Sequence, residues 1–443
     1  MKLSKFGEKY TAKTGILELI DDLGRAAVNT GEQYMLGGGN PGILREMSEV
    51  WKRRMSELAA NMDDFEAGLA RYHSHLGRPA FVDALASLLR ETFGWQVTGR
   101  NIAVTNGSQT AFYMLFNLLA GEPGGTPPAT GDGGGADGGR TGDRGRRRVL
   151  FPIIPEYIGY ADQTLSHDDF VGVKPIIDET APHRHKYRID FDALEITEDI
   201  AAICVSRPTN PTGNVLTNDE IARLDEIARA HDVPLLIDGA YGMPFPNIVF
   251  SDAVPTWNEN IVLGLSLSKL GLPSARTGII VASEEIIGAL GSANAIMSLA
   301  TGTFGQLMAE PLIRSGELLS LSDDVIRPFY LEKSRRTLEW IDELFSDGVE
   351  YSVHESEGAF FLWMWFKNLP ITTYELYRRL KERNVIVVPG TYFFFGMKEA
   401  WSHSDECIRL NYAMPDEEVR RGLEIIAEEA KKAVSEGAAH SSR

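Results

Sequence analysis

Residues 266–278 read SLSKLGLPSARTG and follow directly on the apolar run IVLGL at 261–265. A short run of branched apolar residues is the signature of a buried strand. A lysine at the end of such a strand must reach water or find a partner, and Lys269 stands there among two serines, small residues and one arginine. Desolvation and nearby cations lower the pKa of a lysine amine and make it a nucleophile toward aldehydes. Ser266 and Ser268 add hydroxyl donors, and Arg276 adds a planar fork suited to a phosphate. Taken alone, Lys269 reads better as a surface lysine whose stem runs along the strand end. Its meaning depends on the rest of the chain.

Similar runs recur on either side. IAVT at 102–105, VLFPI at 149–153, FVGV at 170–173, AICVS at 202–206, LLID at 235–238 and GIIVA at 278–282 are all short and rich in β-branched residues. Between two of them, residues 218–231 place Ile221, Leu224, Ile227 and Ala228 on one helical face. Strands alternating with helices predict an α/β fold, with a mostly parallel seven-stranded sheet between helices. From residue 326 the pattern changes to a long charged helix, a strand AFFLWMW at 359–365 and a helix over 373–382. An apolar run VIVV at 385–388, a strand CIRLNY at 407–412 and a terminal helix from 416 to about 433 complete it. This mixture predicts a smaller α+β domain formed by 326–443 with 1–45, beside a large domain over 46–325. Residues 121–148, with almost no apolar side chain, read as a flexible surface insertion, and the tail from Gly437 reads as frayed.

The 443 residues carry 62 acidic against 44 basic side chains, a formal charge of −18. That balance argues against a nucleic-acid partner, which needs clustered Lys and Arg. The one dense basic run, RGRRR at 144–148, reads as a solvated loop end. Two cysteines, Cys204 and Cys407, lie in apolar strand runs and read as buried free thiols of a reducing compartment. The first residues hold no apolar leader segment, and no run reaches the ~18 apolar residues of a membrane span. A soluble cytoplasmic protein with no membrane partner is the expectation.

Four further motifs follow strands. TNGSQT at 105–110 opens a helix, whose free N–H groups bind anions, with Gly107 allowing close approach and Ser108 a hydroxyl; an ordinary capped turn explains it too. NPTG at 210–213 is a tight turn in which Asn210 can donate to a ligand oxygen. Asp238 and Tyr241 lie where a parallel strand ends, the place where α/β proteins bind ligands; a helix cap is the alternative for the aspartate. Tyr157 in PEY can stack on a flat ligand or fill the core. Arg409, inside CIRLNY, needs an anion if buried, either a substrate carboxylate or a structural aspartate.

The pattern S-x-S-K, six residues, then R-x-G, with NPTG, D-x-x-Y and a late arginine in that order, resembles the fold-type I pyridoxal-phosphate (PLP) aminotransferases. The matches run from about residue 37 to 412. Phrases such as MLGGGNP, TNGSQTAF, PEYIGYAD, SRPTNPTGNV, YGMPFP and SLSKLGLP are similar to the branch of that family that exchanges valine with pyruvate. The resemblance implies PLP as cofactor, bound through Lys269, which also serves as the general base. It implies that Asp238 pairs with the pyridine nitrogen, that Asn210 and Tyr241 bond the ring's phenolic oxygen, and that Tyr157 stacks on the ring. Ser266, Ser268, Arg276, Gly107, Ser108 and Gln109 are implied to hold the phosphate, and Arg409 the substrate carboxylate with Asn210 and the backbone at Gly38. It further implies a homodimer with shared sites, Tyr72 reaching the neighbouring subunit's phosphate, although YHSHLG at 72–77 lacks the proline usual before that glycine. The implied reaction gives 3-methyl-2-oxobutanoate and L-alanine from L-valine and pyruvate, a branched-chain amino acid biosynthesis step. The alternative is another specificity on the same fold: alanine, 2-aminobutyrate or aromatic substrates.

Rival patterns are weaker. GGGNPG at 37–42 matches GxGxxG, but a helix pattern follows where a dinucleotide site needs a second strand. Neither GxxxxGK[ST] nor GxSxG occurs. His73 and His75 have no third ligand in view, so no metal is expected. TYFFF at 391–395 suits a pocket wall or a core segment. A non-catalytic regulator would carry a DNA-binding domain, for which the N-terminal stretch leaves no room.

Overall fold

The computed structural model describes residues 1–28, 32–124 and 145–441. Seven strands form one sheet, in the order Ile102–Thr105, Gly278–Val281, Ile261–Ser266, Leu235–Asp238, Ile200–Ser206, Arg148–Phe151, Phe170–Gly172. Only Gly278–Val281 runs antiparallel to its neighbours. These are the seven apolar runs of the sequence, each shifted by no more than two residues at either end.

Their lack of polar alternation has a direct cause: both faces of the sheet are covered. On one face Val149, Phe151, Ala202, Cys204, Leu236, Val262 and Ile280 pack with Phe112, Leu115 and Phe116 of the helix Ser108–Leu119 and with Ile287 and Leu290 of the helix Glu284–Ser298. The alternate residues Leu150, Ile203, Val205, Leu235, Ile237, Ile261, Leu263 and Leu265 join the main core on the other face. Both cysteines are buried free thiols.

A second sheet of six strands contains Tyr351–His354, Phe361–Phe366 and Cys407–Asn411, and takes in the hairpin Ile176–Ala181 with Arg184–Arg188. The N-terminal segment joins this side of the molecule, Tyr34–Met35 pairing in parallel with Val385–Ile386. The strand expected from residue 359 begins at Phe361, because Ala359 adopts a left-handed φ of 57° that breaks the extended chain. The tail expected to fray from Gly437 instead continues the helix Asp416–Ser441, where Ala438 and Ala439 favour helix and Gly437 packs at Pro370. The basic run is not simply solvated either. Arg146 pairs with Asp169 and Arg148 with Asp199, both half-buried beside the strand Arg148–Phe151. Of the expected insertion 121–148, residues 125–144 lie outside the described residues; Gly121 and Arg147 close its base through two backbone bonds of 2.9 and 2.8 Å.

Candidate active site

The parallel strands end on one line. Register sets Ser206 opposite Asp238, and Ser266 opposite Gly278, which itself faces Thr105. A cavity of about 480 Å³ opens at these ends, where α/β sheets place their ligands. It gathers Lys269, Asp238, Tyr241, Tyr157, Asn210, Ser108, Gln109, Ser266, Ser268, Arg276 and Arg409. Eleven of the fourteen residues singled out from the sequence therefore converge on one volume.

Lys269 lies in the 3-10 turn Ser268–Leu270 after its strand. Its Nζ donates to the Gly39 carbonyl at 2.7 Å and sits 5.1 Å from the centre of the Tyr241 ring. Burial, with the cations Arg409 and Arg276 adding to it, holds its ammonium down to about 7 despite the opposing charge of Asp238. Asp238 accepts the Ala240 N–H at 2.9 Å and the Tyr160 hydroxyl. Burial raises its carboxyl above the usual range even though both bonds and Lys269 favour the anion.

At one end of the cavity the helix Ser108–Leu119 points its N-terminus inward, with Gly107 as cap at φ 94°. Arg276 stands against this cap so closely that a Cβ on Gly107 would collide with its guanidinium, and a Cβ on Gly278 would meet the Ser108 nitrogen. Arg276 itself holds a left-handed φ of 45°, a strain of the kind that collects at ligand sites. Free N–H groups, serine hydroxyls and a guanidinium together make an anion cradle.

At the other end Arg409 is 2 % exposed. It donates to Asn210 Oδ1 at 2.7 Å and to the Gly37 carbonyl at 2.6 Å, while Phe361 and Phe393 lie against it at 4.3 and 5.3 Å. Its Nε has no hydrogen-bond partner, and no carboxylate neutralises it among these contacts. A buried guanidinium so placed suits an incoming carboxylate.

Gly38, Gly107 and Tyr72 do not line the cavity. Gly38 accepts the Asn411 side-chain N–H at 2.7 Å, beside the two glycine carbonyls that hold Arg409 and Lys269. Tyr72 is 85 % exposed on the surface of the single chain. TYFFF does not form the wall: Phe393 backs Arg409, and Tyr392 donates to Glu18 at 2.6 Å. Part of the apolar wall comes from Ile16, Leu19 and Ile20 of the helix Gly15–Val28, beside Phe112 and Ile158; sequence reasoning did not place that helix. Tyr160 was also missed; its aromatic side chain three residues after Tyr157 was the available signal.

Residues 176–426 match the family model described as aminotransferase class I and II. The chain belongs to that family, whose members use PLP. The valine–pyruvate aminotransferase of Escherichia coli K12 is 44% identical over 436 residues, covering 98% of this chain and 100% of that protein. The crystal structure of a putative amino-acid aminotransferase from Psychrobacter arcticum 273-4 superposes with a TM-score of 0.92 at 41% identity, covering 98% of this chain and 99% of the other. The valine–pyruvate aminotransferase AvtA of Salmonella typhimurium LT2 does so with a TM-score of 0.84 at 43% identity, covering 95% and 100%. The overall architecture is thus the fold-type I aminotransferase fold.

Proposed function

We propose that this chain is a PLP-dependent aminotransferase that moves the amino group of L-valine to pyruvate, giving 3-methyl-2-oxobutanoate and L-alanine by a ping-pong exchange. The observation that carries the reading is the convergence of the buried Lys269 amine, the Asp238 carboxyl and the Arg409 guanidinium on one cavity with the anion cradle at one end. Near-full-length similarity to valine–pyruvate aminotransferases supports the substrate pair, and the Ile16, Leu19 and Ile20 wall suits small apolar side chains.

The residues fit PLP. Gly107, Ser108, Gln109, Ser266, Ser268 and Arg276 would hold the phosphate, Tyr157 would cover the ring, Asn210 and Tyr241 would bond its phenolic oxygen, and Asp238 would face its nitrogen. Bound there, PLP supplies an electron sink that acidifies the substrate Cα–H. Asp238 would keep a proton on the nitrogen it faces, which would deepen that sink. Arg409 orients the substrate carboxylate as a two-pronged donor, with Asn210 held ready by the same guanidinium. Lys269, neutral above about pH 7, takes the proton from the substrate Cα and returns one in the opposite half-reaction.

A homodimer with Tyr72 reaching the neighbouring site is part of the proposal. Ile43, Tyr72, Ile296 and Leu299 each expose a large apolar side chain, at 91, 85, 88 and 64 %, of the kind that a second subunit would cover. Cytoplasmic residence is proposed on the two free thiols. A panel of amino acids mixed with the PLP-loaded chain tests the whole reading. The bound cofactor's visible absorbance should bleach with L-valine and L-alanine, and pyruvate should restore it. A response to aromatic or acidic amino acids alone would overturn the substrate assignment.

A further inference from the structure

Glu156 lies directly beneath the site with no task in the account above. Its side chain is 0 % exposed, yet its three bonded partners are all neutral. Oε1 accepts the Ser206 N–H at 2.8 Å; Oε2 accepts the Ser206 hydroxyl at 2.8 Å and the N–H of Tyr157 at 3.0 Å. Its own N–H donates to the Phe393 carbonyl at 3.1 Å. A carboxylate at this depth without a cation is costly, and an apolar residue of similar size fills such a volume more cheaply.

The bonds show what that carboxylate joins. The turn after the strand Arg148–Phe151 bears Tyr157 and Tyr160. Ser206 ends the strand that leads to Asn210 and stands opposite Asp238 in register. Phe393 packs on Arg409. The Glu156 side chain therefore ties the turn that carries Tyr157 to the end of the strand that leads to Asn210, and its backbone N–H reaches the segment that backs Arg409.

We infer that Glu156 is a positioning residue of the cofactor site: it locks Tyr157 in place against the end of the strand Ile200–Ser206 and sets a second acidic group beside Asp238. All three bonds run into the carboxylate, so the ionised form serves every donor best, whereas a protonated oxygen is a weaker acceptor and adds an O–H that needs a partner of its own. Burial works against that form and pushes the carboxyl up to about 8, with the charge of Asp238 adding to the rise. The charged and titratable groups around it are Asp238 on the adjacent strand, Cys204 two residues before Ser206, and Tyr157 and Tyr160 on its own turn. While ionised, Glu156 raises the proton affinity of Asp238 and of a protonated nitrogen facing it.

This inference rests on the PLP reading, and the test separates the two. The full-length wild-type chain, E156Q and S206A are stripped of cofactor and titrated with PLP, following visible absorbance and intrinsic fluorescence. The pH midpoint of the bound cofactor's band and the melting of each apo chain are recorded as well. E156Q keeps the volume but loses the charge and turns an acceptor into a donor. It should bind PLP roughly 10–100-fold more weakly, with the band's midpoint moved to lower pH and the apo chain still melting cooperatively near the wild-type temperature. S206A removes one donor and no charge; it should weaken binding several-fold and leave the midpoint in place. Wild-type affinity and an unmoved midpoint in E156Q would overturn the inference. So would a binding loss matched by collapse of the apo chain together with unchanged binding in S206A, since that marks a structural role alone. If the wild-type chain itself fails to bind PLP, the underlying reading falls instead.

Discussion

Two buried polar clusters in this molecule differ both in composition and in use. One is the cavity around Lys269. The other lies in the six-stranded sheet, where His185, Tyr187, His354 and Trp363 meet His403. There the Tyr187 hydroxyl accepts the Trp363 indole N–H at 2.9 Å and pairs with His403 Nε2 at 2.5 Å. His354 accepts the Tyr187 backbone N–H at 3.0 Å through Nε2 and donates from Nδ1 to the Glu355 carbonyl at 2.8 Å. His185 Nδ1 pairs with the Ser352 hydroxyl at 2.9 Å, while its Nε2 has no hydrogen-bond partner. Arg409 Nε shares that last property, so a single orphaned atom does not mark a site. What separates the regions is convergence. Around the cavity a cation, an anion, an amine and a helix N-terminus face one volume of ~480 Å³; in the histidine cluster the polar groups are directed at one another, between edge-on aromatic rings.

The contrast breaks most decisively at Lys269. Lys269→Ala should lower turnover by roughly 10⁴-fold or more, because the proposed nucleophile and general base are lost together, while thermal melting stays near wild type. Wild-type turnover in that variant would end the mechanism. Asp238→Asn should cost roughly 10²–10³-fold in kcat by removing a preorganised charge; rates measured under saturating PLP separate this from weak cofactor binding.

The histidine cluster should answer to acid rather than to substrate. Burial holds His403 down at about 4 and His354 at about 3, and His185 is likewise depressed. The folded state favours their neutral forms, so their stabilising share is whole above the unfolded value of ~6.5 and is lost as pH falls toward 4 and 3. By pH 5 His403 and His354 should each have lost about 2 kcal/mol, and His185 works in the same direction. Melting temperatures measured from pH 7 down to pH 5 should fall, and Tyr187→Phe or a His354 variant should alter the slope; a flat profile would show that the cluster does not titrate on folding. The smallest effect is expected for Tyr187→Phe at neutral pH. It removes a hydroxyl that serves two partners, so stability should drop by about 1–3 kcal/mol with kcat and KM for L-valine unchanged. A loss of activity without loss of stability would erase the distinction between the two clusters.

Much of the candidate site was legible because its residues occupy strand ends. Ser206, Asp238 and Ser266 each close an apolar run, and a parallel sheet brings such ends to one edge whatever the exact register. Lys269, Asn210 and Tyr241 follow within a few residues of these ends. The missed residues have no such anchor. Tyr160 joins the site through a bond to Asp238 across 78 residues. Ile16, Leu19 and Ile20 belong to an ordinary amphipathic helix, which nothing local distinguishes from a helix buried elsewhere. Tyr72 is the opposite case: a pattern pointed to it, but its exposed position leaves any role to a second subunit.

By itself the amino-acid sequence determined the strand runs, the covered sheet and the lysine turn, since these follow from local hydrophobicity, branching and turn chemistry. Only the tertiary structure decided that Glu156 stands beneath the cavity and Tyr160 lines it, that the N-terminal helix walls it, and that the histidines form a cluster of their own. Those outcomes depend on which distant side chains share a low-dielectric space, and the energy of a buried polar group is set by its neighbours in space rather than by its neighbours in the chain.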